Sequence, residues 1–329
     1  MPNGFIALSA LLFLAAQAPT APRNGIKGTV IRTTNLYVAP DLSSARLAQI
    51  SPGREMVISE KNGDWARVFA NTDEETSQSQ DAPVFGNDAA AVPIAGWMQA
   101  PGVVSVDTPK GDLILFGAAA SEEIDASLPR APQSFAQAAR LLYQRMADFY
   151  PQSPLAPEAA WRSADIRWQL LKADVFSLPS AHEKENYLRE QIDEEEMRKL
   201  RKTYPNSRWA DLADWDMLDN KICGDWQGSP KCPLKESQFY EKYAQDHPES
   251  PRAAQALYNA VYRQGALHDI YAANGDGKKA AEAKARAVTM AGTVAGKYPQ
   301  SDYAARAASL VYQLQESIPV YGTAAAEGP

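Results

Sequence analysis

Histidine and cysteine are nearly missing from this chain, at three and two residues in 329. His182, His247 and His268 lie far from Cys223 and Cys232 in sequence, so no zinc-type ligand spacing arises and no metal or cofactor is expected. A basic excess is missing too. Lys and Arg number 33 against 40 Asp and Glu, a net charge of −7. That balance argues against nucleic acid, which needs basic patches facing phosphates, and against a polybasic hold on anionic lipid. Beyond the N-terminus no apolar run is long enough to span a bilayer of roughly 30 Å as a helix, so no integral membrane span is expected.

Catalytic signatures are equally scarce. "HEKEN" (182–186) has Asn186 where a zinc protease helix needs its second histidine. No GxSxG occurs, and no phosphate loop precedes Lys278. "ANGDGK" around Asp276 lacks the alternating carboxylates of a calcium loop and reads as a helix-ending turn. The run Asp193–Glu196, followed by Arg198 and Lys199, gives the i,i+4 pairs of a solvated helix face. A non-enzymatic protein is expected, with an enzyme of unrecognised type as a remaining alternative.

The chain opens on an uncharged apolar stretch, Phe5 to Ala16, followed by the small-x-small string Ala16-Gln17-Ala18. This reads as a signal peptide over residues 1–18 and hence a periplasmic or secreted protein, although Lys and Arg are missing ahead of the apolar stretch. A buried N-terminal helix is the competing reading. In an exported chain the two cysteines of "CGDWQGSPKC", Cys223 and Cys232, suit a disulfide closing a small loop, with free thiols as the alternative.

From residue 26 to 104 the texture is that of short strands. "GTVIRTTNLYVAP" is alternating and β-branched, and apolar runs flank Asn62-Gly63-Asp64, a hairpin signal. The strings Asn35-Leu36-Tyr37-Val38, Pro52-Gly53, Gly63-Asp64-Trp65 and Gly96-Trp97-Met98 resemble the bacterial SH3-like domains of cell envelopes. The resemblance covers about a quarter of the chain and implies a small all-β barrel. Two departures stand out: Ala39-Pro40 where that family has an Arg, and a polar insert over 71–93. For Tyr37, Trp65 and Trp97 two readings are open. They pack the core, or they form a shallow aromatic groove for wall glycan (peptidoglycan) or peptide, as the resemblance implies.

One string recurs four times in the remainder: "YPQSPLAPEAAW" from Tyr150, "YPNSRWADLADW" from Tyr204, "HPESPRAAQALY" from His247 and "YPQSDYAARAAS" from Tyr298. Counted from the proline, serine is always at +2 and alanine at +5 and +8. Proline ends one helix, because it lacks an N–H and disfavours helical geometry before it. Serine is placed to cap the next helix, and Pro154 and Pro251 suit its first position. The alanines share one helical face and let a neighbouring helix approach. Helical patterns at 134–149, 183–202, 235–246 and 278–297 precede the four joints.

This half resembles the tetratricopeptide-like repeats of periplasmic and outer-membrane assembly proteins, such as the Tol-Pal coordinator, over 135–317. A linker over 105–134 and a disordered tail over 318–329 complete the division. The expected fold is thus multidomain, an SH3-like barrel plus an all-α helical solenoid, similar to envelope proteins that pair the two. Stacked helix pairs make a concave surface, where Trp161, Arg162, Asp165, Trp168, Trp209, Trp215 and Tyr258 are candidate contacts for a protein partner. The competing reading is that the tryptophans fill gaps between helices. The function this suggests is an envelope scaffold or adaptor, with a peptidoglycan-binding accessory of envelope assembly as the alternative.

Overall fold

The computed structural model describes residues 25–72 and 93–322. The signal-peptide reading (1–18), most of the polar insert and residues 323–329 lie outside the described residues. Seven strands form one antiparallel sheet: β1 (Ile26–Val30), β2 (Thr34–Tyr37), β3 (Arg46–Ile50), β4 (Met56–Asn62), β5 (Trp65–Ala70), β6 (Ile94–Gln99) and β7 (Val103–Ser105). Their spatial order is β3-β2-β6-β5-β4-β1-β7. Alternation sends Leu36, Ile50, Met56, Val68 and Met98 into a shared core, in keeping with the two-residue period of a strand.

Nine helices follow among the described residues: α1 (Gly111–Ala126), α2 (Gln133–Phe149), α3 (Ala156–Ser177), α4 (Glu195–Thr203), α5 (Arg208–Asp216), α6 (Lys231–Asp246), α7 (Ala253–Ala273), α8 (Gly277–Lys297) and α9 (Asp302–Gln315). None is long and apolar enough to cross a membrane. Three apolar clusters hold them: α1, α2 and α3 around Leu142 and Met146; α3, α4 and α5 around Trp168; and α6 to α9 around Tyr240, Val261, Val294 and Leu310.

The four joints share one backbone conformation. Tyr150, Tyr204, His247 and Tyr298 end their helices with φ between −125° and −130° and ψ between 54° and 60°. Each N–H still donates to the carbonyl four residues back, at 2.9–3.0 Å, so the last turn is closed before the proline redirects the chain. The +8 alanines Ala159, Ala213, Ala256 and Ala307 are fully buried, at 0% exposure. A larger side chain there would hold the facing helix off.

The serines divide into two pairs. Ser207 and Ser301 cap α5 and α9, accepting from Ala210 N at 3.2 Å and Tyr303 N at 3.3 Å. In the two copies with Pro154 and Pro251 the expected start is corrected: α3 and α7 begin later, at Ala156 and Ala253. A tight turn intervenes, closed by Ala156 N to Ser153 O and Ala253 N to Ser250 O, each 3.0 Å. Each hydroxyl accepts from the N–H two residues on, inside that turn, Leu155 N at 3.3 Å and Arg252 N at 3.2 Å, and bonds a second partner. Ser153 donates to Asp112 at 2.8 Å, and Ser250 meets Tyr243 at 2.7 Å.

Three further expectations are corrected. The supposed linker 105–134 contains α1, which packs on α2 through Leu115 and Ala119. Apolar residues on both faces and two glycines (Gly111, Gly117) blur its helical period. The helical pattern at 183–202 holds one 3-10 turn at Asn186–Leu188 and becomes α-helix only at Glu195. Upstream, Asn220 brackets Ile192, accepting from its N–H at 2.9 Å and donating to its carbonyl at 2.8 Å, and Arg189 donates to the Ile222 carbonyl. The Asn220 bonds, with Gly224 N donating to the Glu183 carbonyl at 3.1 Å, occupy backbone groups a helix would use internally. Residues 318–322 are likewise no disordered tail, since Val320 and Tyr321 pack back against α7.

Sheet and helices are fastened together at the first joint. Gly53 has φ of +81°, and a Cβ there would clash with Leu141 of α2. Its carbonyl accepts from Arg145 Nε at 3.1 Å, while Arg145 also pairs with Glu55 at 3.6 Å. The Tyr150 hydroxyl donates to the Ser105 carbonyl on β7 at 2.6 Å.

Candidate functional site

On the sheet, the strands that bury Leu36, Ala66 and Met98 turn Tyr37, Trp65 and Trp97 to the opposite face. Tyr37 lies opposite Trp97 across β2 and β6, and Trp97 lies opposite Arg67 across β6 and β5. Trp65, two residues before Arg67, shares that face. The Tyr37 and Trp65 rings meet edge to face with centroids 5.8 Å apart. The core-packing reading of these three is thereby corrected: they are partly covered and lie outside the sheet's apolar cluster. The joins to the helices described above run through the β3–β4 turn and β7, not through the strands that carry the three rings.

The helical candidates are dispersed. Trp168 is 2% exposed and its Nε1 donates to Asp219 at 3.1 Å, so it offers no surface to a partner. Trp161 and Trp209 stack on each other between α3 and α5, at 5.2 Å and 27°, and the Arg208 guanidinium covers Trp209. Trp215 lies against Tyr240 and Tyr243, under Arg252. Tyr258 meets Tyr303. Arg162 turns toward α1, pairing with Glu123 at 2.7 Å and Glu158 at 2.9 Å over the rings of Phe116 and Tyr143. Among the tryptophans, Trp168 fills a gap between helices, and Trp161, Trp209 and Trp215 lie partly buried against the apolar clusters.

Asp165 belongs to a group of carboxylates, with Asp216 and Asp219, that the sequence reading missed. Burial raises its pKa, and beside it Asp216 is pushed up to about 8, first by burial and then by the charges of Asp165 and Asp219. Lys172 pairs with Asp219 at 2.7 Å and offsets part of that charge. Asp216 follows Trp215 with no distinctive spacing, so nothing in the sequence marked it.

His247 was also missed. Its ring nitrogens lie 2.8 Å from Asp211 and 3.4 Å from Asp214, at the edge of a cavity of about 680 Å³ shared with Arg201 and Lys202. The equivalent crevice one joint earlier, about 300 Å³, is lined by Gln144, Ser163, Leu200 and Tyr204. The other histidines lie apart, with His268 bonded to the Ala280 carbonyl and His182 exposed. Among the described residues no cluster of His, Cys, Asp or Glu could hold a metal ion. Cys223 and Cys232 form a disulfide, Cα atoms 6.1 Å apart. The sequence matches no family model and no curated protein.

Proposed function

We propose that this chain is a non-enzymatic scaffold of a bacterial cell envelope, exported from the cytoplasm. In this reading the sheet is an SH3-like module and the helices are tetratricopeptide-like repeats. The module holds peptidoglycan or a partner through Tyr37, Trp65 and Trp97, and the helices hold a partner protein. One observation carries the reading: three aromatic rings on adjacent strands face away from the core. Clustered outward aromatics have large apolar faces and polar edges, which suit a sugar ring or a peptide backbone. The disulfide supports export, because such bonds persist in oxidising compartments. The shared joint geometry supports the repeat reading.

The test is co-sedimentation with purified sacculi, alongside cross-linking in intact envelopes. Wild-type chain should pellet with sacculi or cross-link to a protein through the sheet. The triple change of Tyr37, Trp65 and Trp97 to Ala should lose that contact while cross-links from the helices persist. A chain that binds no sacculi and cross-links to nothing would overturn the proposal.

A further inference from the structure

After α9 the chain reverses at Ser317, whose φ is +60°, and runs back across α7. The N–H groups of Val320 and Tyr321 both donate to one oxygen of Asp269, at 2.7 and 3.0 Å. Val320 packs into the α6–α9 cluster above Gly265, where an added Cβ would lie 3.0 Å from its Cγ2. The Tyr321 ring rests on Trp226 at 5.4 Å, and its hydroxyl accepts from Gly228 N at 3.1 Å. Both Trp226 and Gly228 lie inside the disulfide loop.

That wall is built rather than incidental. Glu236, its side chain 2% exposed, accepts from Trp226 Nε1 and Cys223 N, each at 3.0 Å. The same carboxylate pairs with Arg263 at 3.0 Å, and the Arg263 guanidinium spreads over Trp226, Tyr240 and Tyr262. A further cavity of about 230 Å³ opens beside Val320, lined by Tyr258, Tyr262, Arg306 and Gln313. Apart from Ile318 N on the Gln313 carbonyl at the chain reversal, the contacts described are ones a separate peptide would make: two main-chain N–H bonds, one apolar side chain in a notch, one aromatic ring on a platform with its hydroxyl bonded.

We infer that this groove is a binding site for an extended segment of a partner protein carrying an apolar residue followed by tyrosine. The chain's own residues 318–322 fill it until that partner displaces them. The inference rests on the reading of the helical half as protein-binding and names the site and the ligand chemistry. A segment tethered this closely competes at an effective concentration on the order of millimolar, so a free peptide binds the filled groove weakly.

The experiment uses the full chain with Val320→Ser and Tyr321→Ala, and a fluorescein-labelled peptide of the sequence SIPVYG, read by anisotropy. The emptied chain should bind the peptide at least ~10-fold more tightly than wild type, because the competing segment is gone. Adding Asp269→Asn should remove at least ~10-fold of that affinity, since the acceptor for both N–H groups loses its charge. Equal binding by wild-type and emptied chains, or indifference to Asp269→Asn, would overturn the site. On the unmodified chain, millimolar peptide should speed amide exchange at Val320 and Tyr321, and unchanged exchange counts against the site even if the emptied variant misfolds. Exchange of residues 318–322 between two copies, seen as a dimer by mass, would assign the groove to self-association and defeat the partner proposal. A partner cross-linked equally by the emptied chain with and without Asp269→Asn leaves the adaptor reading standing and removes this groove from it.

Discussion

On the sheet, Trp65 and Trp97 are turned away from Leu36, Val68 and Met98, whereas in the helical half Trp168 and Trp215 are turned into the packing between helices. The difference follows from periodicity. A strand has two faces and one core, so an aromatic out of phase with Leu36, Ala66 and Met98 must face outward. A helix wedged between two others has apolar neighbours on several sides, and a large ring there is consumed as filler. The sheet aromatics therefore lie outside the apolar cluster, whereas Trp168 and Trp215 pack into theirs.

The sharpest way to break this contrast is Trp168→Ala. Removing a fully buried tryptophan should destabilise the chain by about 3–5 kcal/mol in chemical denaturation. A loss below that of Trp65→Ala, expected at about 1 kcal/mol, would reverse the comparison. Reducing the Cys223–Cys232 bond should come next, lowering stability by about 2–3 kcal/mol through the freed unfolded chain. An unchanged melting temperature with both thiols blocked would refute that role.

Asp216 sharpens the helical side further. Its carboxyl keeps a proton up to about pH 8 in the folded chain and loses it near 3.8 when unfolded. The folded state therefore binds the extra proton between those limits, and stability should fall as pH rises from about 4 to 8. Asp216→Asn should flatten that fall and raise the melting temperature at pH 8. An identical pH slope in the variant would contradict the burial of this group. Ser207→Ala, which removes a true helix cap, should destabilise by about 1 kcal/mol. Ser153→Ala instead breaks a bond to Asp112 and should loosen α1, seen as faster amide exchange there.

Much of this architecture was readable from residue patterns alone. The joints were legible because proline, serine and alanine each act locally, and all four close in the same conformation. The strands were legible through alternation, and the cysteine pairing through its short loop. What failed depended on distant partners. Residues 183–194 carry helix-forming side chains, yet Asn220 and the Gly224 N–H draw that backbone into bonds with other segments. The outward turn of Tyr37, Trp65 and Trp97 needed strand register, and the seat of Val320 and Tyr321 needed Asp269 about 50 residues away, beyond any local signal.

The most direct measurement is sedimentation of the full chain with purified sacculi, comparing wild type, Trp65→Ala, Trp97→Ala and the triple change with Tyr37→Ala. Each variant is first matched to wild type by its melting curve. Progressive loss of bound protein across that series, with folding retained, is the predicted result. Undiminished binding by the folded triple variant would contradict the assignment of the outward aromatic face as the wall-binding surface.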